Sequence, residues 1–369
     1  MFFRCSSTLM SLGLATALMA GSAKAEIKLG LSVPLQGSLQ LLGQQAATGA
    51  RAAVDAANAN GGINGEPIAL TIVDDRCSDT QAREVAADLA GVQAVMGLLC
   101  FESAFALRDN PQLATIPFVS LTIRLPEYTQ RNELNFRFGA GPEAESDAIV
   151  DTILRQWQGK SFALADDGTV YGRSLAQSVR TKLELAGRPP QVTETYRPTQ
   201  NVQTGLARRL INASIEALFV AGDGEDVAVI AESLSRRGAD IELMAGEAAL
   251  APFLPGSELA PPDGLIAIGP RRPENNAATQ IIQQQFANSG LRGEGLVLSS
   301  YAATQTILQA IATSDDRPLN LRLMENRTST ILGPISFDQE GQRAGAGFIA
   351  YRYVDGMLQP ADLSEPEEG

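Results

Sequence analysis

From Ile27 onward, short runs rich in β-branched and aromatic residues alternate with longer stretches whose apolar positions recur at helical spacing. "IKLGLSV" is followed by "QQAATGARAAVDAANAN", where Ala46, Ala50, Ala53, Val54 and Ala57 recur at helical spacing and Gly61-Gly62 supplies a stop. "EPIALTIVDD", the helical "DTQAREVAADLAG", "VQAVMGLL" and "IPFVSL" continue the rhythm. Strands separated by helices pair in parallel, and a parallel sheet needs cover on both faces. The expected fold class is therefore α/β, with parallel sheets flanked by helices. A second series starts near Gly141 with "EAESDAIVDTILRQW" and "SFALADD", then passes through "EALFVAG", "IELMAG" and "DGLIAIG". Two long helical patterns, 277–288 and 295–313, and two late β-like runs, "GPISFD" and "AGFIAYRYVDG", are left over. At 369 residues the chain exceeds what one core usually serves. Two lobes are expected, with crossings near Gly139–Gly141, Gly269–Pro270 and Glu340–Gly345. Lobe one would take 26–140 plus 270–341, lobe two 141–269 plus 342–362, and 363–369 would be an acidic tail.

The first 25 residues stand apart: Arg4 precedes an apolar stretch from Leu9 to Met19 that ends in Ala23-Lys24-Ala25. That is the layout of a cleavable secretory signal peptide, and the apolar run is shorter than the ~20 residues of a spanning helix. Cys5 leaves with residues 1–25, so Cys77 and Cys100 remain, in a compartment where disulfides persist. A redox pair, half of a metal site and a structural bridge are the alternatives. The spacing is not C-x-x-C, the chain has no histidine, and two thiolates alone rarely hold zinc. A structural Cys77–Cys100 bridge is expected, since each cysteine follows a strand and consecutive parallel strands end on one edge.

The net charge of −13 gives the chain no electrostatic reason to bind nucleic acid or an anionic membrane. Without histidine, Ser-His and Cys-His devices and nearly all zinc catalysis are unavailable. There is no G-x-S-x-G elbow and no P-loop, and "GDGEDV" lacks the third glycine of a dinucleotide turn. No enzyme, metal or cofactor is expected; a carboxylate-pair hydrolase is the catalytic alternative that so acidic a composition leaves open.

Four stretches, "ANANGGINGEPIALTIVDDRCSD", "VMGLLC", "DDGTVYGRSLA" and "TILGPISFDQEG", occur in this order along the chain. In them the chain resembles the type I periplasmic binding proteins of branched-chain amino acid uptake, the leucine/isoleucine/valine-binding proteins. The likeness covers nearly the whole length after residue 25. It implies two Rossmann-like lobes joined by a multi-strand hinge, a monomer in the periplasm, and a clamp that presents an amino acid to an ABC transporter permease. It also implies a disulfide where Cys77 and Cys100 fall. A sensory binding protein serving a membrane receptor would share the fold, and a small non-amino-acid carboxylate could share the clamp.

In open α/β sheets ligands bind beyond the carboxyl ends of the strands, so the residues following each strand are the candidates. They are Phe101, Glu102 and Ser103, then Thr122 and Arg124, and in the second series Tyr171, Asp223 and Glu247. The resemblance implies that Glu247 takes the ligand's ammonium group, that Tyr171 opens a helix on the cleft, and that Thr122 lies where backbone groups touch the amino acid. Other positions depart from the family pattern. Arg124 stands about where a threonine helps hold the α-carboxylate; it either grips a carboxylate bidentately or pairs with Glu102 or Glu127. Phe101 and Glu102 replace small serines, and Ser103 is expected to take over the hydroxyl role. Asp223 replaces an aromatic residue; in the pocket it implies a ligand more polar than leucine, and as an N-cap before "EDVAVIAESL" it is structural. Leu42 stands in for a cleft tyrosine. The expected ligand is an amino acid, branched-chain or more polar, or a small carboxylate, held by hinge closure.

Overall fold

The computed structural model describes residues 26–130, 133–250, 258–271, 277–288, 293, 295–313 and 315–361, so the expected signal peptide and acidic tail lie outside the described residues. The first half of the order is β1 (Ile27–Val33), α1 (Gln40–Ala59), β2 (Ile68–Asp74), α2 (Asp79–Val85), β3 (Ala94–Gly97), α3 (Phe101–Arg108), β4 (Phe118–Ser120), α4 (Glu127–Gln130) and β5 (Asn135–Arg137). There follow α5 (Ala144–Gln156), β6 (Phe162–Asp166), α6 (Val170–Leu185), β7 (Val192–Thr195), α7 (Thr204–Asn212), β8 (Ala217–Ala221), α8 (Gly224–Ser235), β9 (Glu242–Ala245) and β10 (Ile266–Pro270). The chain closes with α9 (Ala277–Asn288), α10 (Val297–Ala312), α11 (Leu319–Glu325), β11 (Thr328–Thr330), β12 (Gly333–Ile335), β13 (Phe348–Val354) and β14 (Met357–Pro360).

One sheet has the order β2-β1-β3-β4-β5, all parallel. The other runs β14-β13-β10-β9-β8-β6-β7, with β13 antiparallel to both of its neighbours and the rest parallel. Strands β6 and β8 are buried along their whole length, as strands covered on both faces must be, which is why "FALAD" and "ALFVA" are apolar without alternation.

Each sheet has its own cores. Leu29 and Leu31 of β1, Ala46 and Ala50 of α1 and Ala303 and Ile307 of α10 share one cluster with Phe136 and Phe337. Helices α1 and α10 touch backbone to backbone: a Cβ on Gly49 would lie 2.1 Å from the Val297 carbonyl oxygen. Ser300 Oγ fixes the register by donating to the Ala46 carbonyl at 2.7 Å. The late helix therefore belongs to the N-terminal sheet. In the second lobe Ile149, Trp157, Leu164 and Phe348 fill one face and Leu206, Val220, Ile230 and Leu243 the other.

Cys77 and Cys100 are bonded, with Cα atoms 5.2 Å apart. The bridge ties the ends of β2 and β3, the strands on either side of β1. Beneath it Asp75 is fully buried, accepting from Ser32 Oγ at 2.7 Å and from the Cys77 amide at 2.9 Å. Burial pushes the Asp75 carboxyl above its ordinary range, and these hydrogen bonds act against that.

Several elements depart from the sequence expectation. The stretch "DTQAREVAADLAG" is an α-helix only to Val85 and tightens to a 3₁₀ turn over Ala86–Leu89. Strands β5, β7 and β14 were not expected; all three are sheet edges, and β7 and β14 are each four polar-tolerant residues with one face in water. Helix α3 is only eight residues of mixed character, "FESAFALR", too short for a clear period.

Candidate functional site

The loop after β4 meets the end of β9 and the first turn of α5 across the crevice between the lobes, and one side chain spans it. Arg124 lies in the loop after β4, and buried Arg137 of β5 holds the residues on both sides of it. Arg137 Nε donates to the Ile123 carbonyl at 2.8 Å and Nη2 to the Leu125 carbonyl at 2.5 Å. From this fixed loop Arg124 reaches the second lobe. Its Nη2 donates to Glu247 Oε2 at 2.5 Å and its Nη1 to Glu145 Oε2 at 3.3 Å, while its Cζ sits 4.9 Å from the centre of the Phe348 ring.

Glu145 organises the second lobe's half of the site. It lies in the first turn of α5 on the buried face that also carries Ile149 and Ile153, and it is 4 % exposed. Its Oε1 accepts from the Tyr171 hydroxyl at 2.7 Å and from the Glu247 amide at 2.8 Å. Gly246 is small for the same reason, since a Cβ there would lie 2.7 Å from Glu145 Oε1. Burial raises the Glu145 carboxyl above its ordinary range, opposed by the Glu247 amide, the Tyr171 hydroxyl and the Arg124 charge. Burial and the neighbouring Glu145 and Glu247 charges raise the Tyr171 phenol. Two carboxylates thus share one guanidinium. Glu145 is sealed, whereas the side chains of Arg124 and Glu247 are each 34 % exposed and remain open to a solute.

On the first lobe, α3 begins at Phe101 with Cys100 as an N-cap that makes no side-chain cap. The first amides of such a helix have no intrahelical acceptor and carry the positive end of its dipole. They open on a hollow of about 290 Å³ lined by Leu99 to Glu102 and Thr122 to Leu125. Arg124, which lines this hollow, joins it to Glu247 and Glu145 of the second lobe.

A family model for periplasmic binding proteins matches residues 26–356. The chain belongs to that family. Leu/Ile/Val-binding protein homolog 1 of Brucella melitensis is 27% identical to it, over 91% of this chain and 92% of the relative. A putative branched-chain amino acid ABC transporter protein from Rhodospirillum rubrum has the same fold, with a TM-score of 0.73 at 20% identity, covering 91% of this chain and all of that one. An ABC transporter substrate-binding protein from Desulfitobacterium hafniense, solved with Leu, gives 0.68 at 20% identity over 91% and 100%. The two-lobed α/β architecture expected from the sequence is the one this periplasmic binding protein has. Among the described residues no helix is long and apolar enough to cross a membrane.

Several sequence-predicted residues of this periplasmic binding protein sit differently from expectation. Arg124 pairs with neither Glu102 nor Glu127: its partners are Glu145 and Glu247, because its loop is aimed across the crevice. Glu102 is exposed in the first turn of α3. Ser103 does not offer its hydroxyl to the crevice; it is fully buried and donates to the Cys100 carbonyl at 3.4 Å, one turn of α3 having rotated it inward. Thr122 donates its hydroxyl to the Leu99 carbonyl at 3.0 Å, joining the two strand-tip loops. Phe101 is 44 % exposed on the crevice side, edge-on to Phe105 at 6.5 Å. Leu42 is half-buried against the first core. Sequence reasoning missed Glu145 and Phe348. An acid in register with Ile149 and Ile153 was the available signal for the former; Phe348 follows a crossing and carried none.

Asp223 caps α8, accepting from the Asp226 amide at 2.8 Å, and its own side chain is exposed at the tip of β8 beside β9. Asp226 is buried behind it, and burial pushes its carboxyl up to about 6, opposed by the Thr199 amide and reinforced by Asp223 and Asp167. The folded protein thus holds this proton more tightly than the unfolded chain, whose aspartate titrates near 3.8. The associated stability is present below about pH 4 and lost as pH rises through about 6. Asp226→Asn keeps an acceptor for Thr199 and removes the charge. It is expected to raise the melting temperature by a few degrees at neutral pH and to leave it unchanged at acid pH; an equal shift at both would remove Asp226 as the titrating group.

Proposed function

We propose that this periplasmic binding protein is the solute-binding component of an ABC uptake system, exported by residues 1–25 and taking up an amino acid between lobes formed by 26–140 plus 270–341 and 141–269 plus 342–362. The observation that carries this is Arg124 meeting Glu145 and Glu247 across the crevice. An amino acid presents a carboxylate and an ammonium group within one small framework. The carboxylate fits the outward N–H groups of Arg124 and the first amides of α3; the ammonium fits the exposed oxygen of Glu247, through charge-assisted hydrogen bonds. Only the closed form makes both sets of contacts, so the solute draws the lobes together and the closed molecule is what a permease recognises. Glu145 and Glu247 bind the same guanidinium rather than standing as an acid and a base on either side of a bond, which weighs against the carboxylate-pair hydrolase.

A thermal-shift screen of the purified protein against amino acids, amides and organic acids tests the reading. An amino acid at a hundredfold its dissociation constant stabilises the folded state by about 2.7 kcal/mol. A screen in which organic acids alone raise the melting temperature overturns the amino-acid assignment, and one in which nothing does overturns the binding role. Loss of labelled-solute uptake when the gene is deleted separates transport from sensing.

A further inference from the structure

We propose that Glu145 is a positioning residue that, by drawing Arg124 across the crevice, holds the solute-free protein partly closed and sets the three ligand-facing groups in place before a solute arrives. The inference rests on the two-lobed reading above but not on the identity of the solute.

Glu145 is joined to three elements at once. It receives the hydroxyl of Tyr171 from α6, the amide of Glu247 at the tip of β9, and a guanidinium N–H of Arg124 from the opposite lobe. With Glu145 sealed from solvent, a solute cannot occupy it, so its work is done through the residues it holds. Arg124 is bonded to the Glu247 oxygen that the proposed reading assigns to an ammonium group. Arriving ammonium exchanges with Arg124 at Glu247, while Glu145 keeps Arg124 from swinging away and leaves its outer N–H groups for the carboxylate. The loop end of this link is rigid, because Arg137 holds the carbonyls of Ile123 and Leu125. Rigid anchoring on one lobe and burial on the other are what allow a single guanidinium to fix the angle between two bodies.

The test is X-ray scattering of the solute-free protein. Glu145→Gln preserves acceptors for Tyr171 and the Glu247 amide but turns a donor towards Arg124, so the lobes are expected to open. The radius of gyration should then rise by a few per cent on a value of roughly 20 Å for a chain of this length. Arg124→Met removes the links to both Glu145 and Glu247 and should open the protein further than Glu145→Gln, with the double variant no wider than Arg124→Met. Raising the salt concentration should open the parent and leave Arg124→Met unchanged. A purely structural role for Glu145 within its own lobe would lower the melting temperature without changing the scattering, and that result overturns the proposal. So do additive openings in the double variant. If Glu145→Gln does not fold, Glu145→Asp, which keeps the charge but withdraws it from Arg124, decides, with unchanged scattering as the failure. None of these measurements uses a ligand, so their failure is distinct from a screen that finds no amino acid.

Discussion

Glu247→Ala is expected to weaken solute binding by tens of fold or more and to leave the empty protein folded. The Glu247 amide that donates to Glu145 is backbone and survives the substitution, and the side chain removed is one-third exposed, so little packing is lost. What disappears is the carboxylate to which the proposed reading assigns the solute's ammonium group. A hydrogen bond to a charged group contributes about 1.5–3 kcal/mol, and each 1.4 kcal/mol is tenfold in affinity, which gives about 10–150-fold. Among the described residues the substitution also leaves Arg124 with Glu145 as its one carboxylate partner, which is expected to change the orientation of the guanidinium. Glu247→Gln keeps the shape without the charge and should fall between the parent and the alanine variant. Calorimetric titration with the amino acid found in the screen checks this. An unaltered dissociation constant for the alanine variant would remove Glu247 from the site.

Loss of the Cys77–Cys100 bridge is expected to cost about 3 kcal/mol of stability, the loop-closure value for a sequence separation of 23 residues. Cys77→Ser with Cys100→Ser makes the comparison without a reductant. Binding should change little, because the turn is held by more than sulfur: Asp75 accepts from Ser32 and from the Cys77 amide, and Thr122 pins the Leu99 carbonyl next to the bridge. Urea unfolding of the double variant measures the first quantity and titration the second. A stability within about 0.5 kcal/mol of the parent, the scatter of ordinary surface substitutions, would contradict the expectation.

The strands were legible because strands buried on both faces are written as uninterrupted apolar runs, and "SFALADD" and "EALFVAG" cannot be satisfied otherwise. The lobe to which a late element belongs is not written locally. Gly49 reads only as a small residue in an alanine-rich helix, and its purpose is visible once the Val297 carbonyl lies against it. The same holds at the site. Position after a strand brought Arg124, Tyr171 and Glu247 into one set of candidates, and the structure joins all three to Glu145. Pairing was not legible, because Glu102 and Glu127 are near Arg124 in sequence while its partners are 21 and 123 residues away. Glu145 stands between Glu143 and Asp147, and nothing in the composition of that turn separates the sealed acid from its two exposed neighbours.

The interleaving of the two cores bears on how the chain is made. The core under β1 is incomplete until Phe337 has left the ribosome, and the one under β6 until Phe348 and Ala350 have. Pairings of such long range are slow to form, so neither lobe is finished while synthesis proceeds, although one face of each sheet, Val73 to Tyr128 and Ala163 to Leu265, is complete earlier. On the proposed reading of residues 1–25 as an export signal, that delay suits a chain threaded through a membrane as an extended strand. A premature stop just before Phe348 should yield aggregate instead of a smaller working molecule.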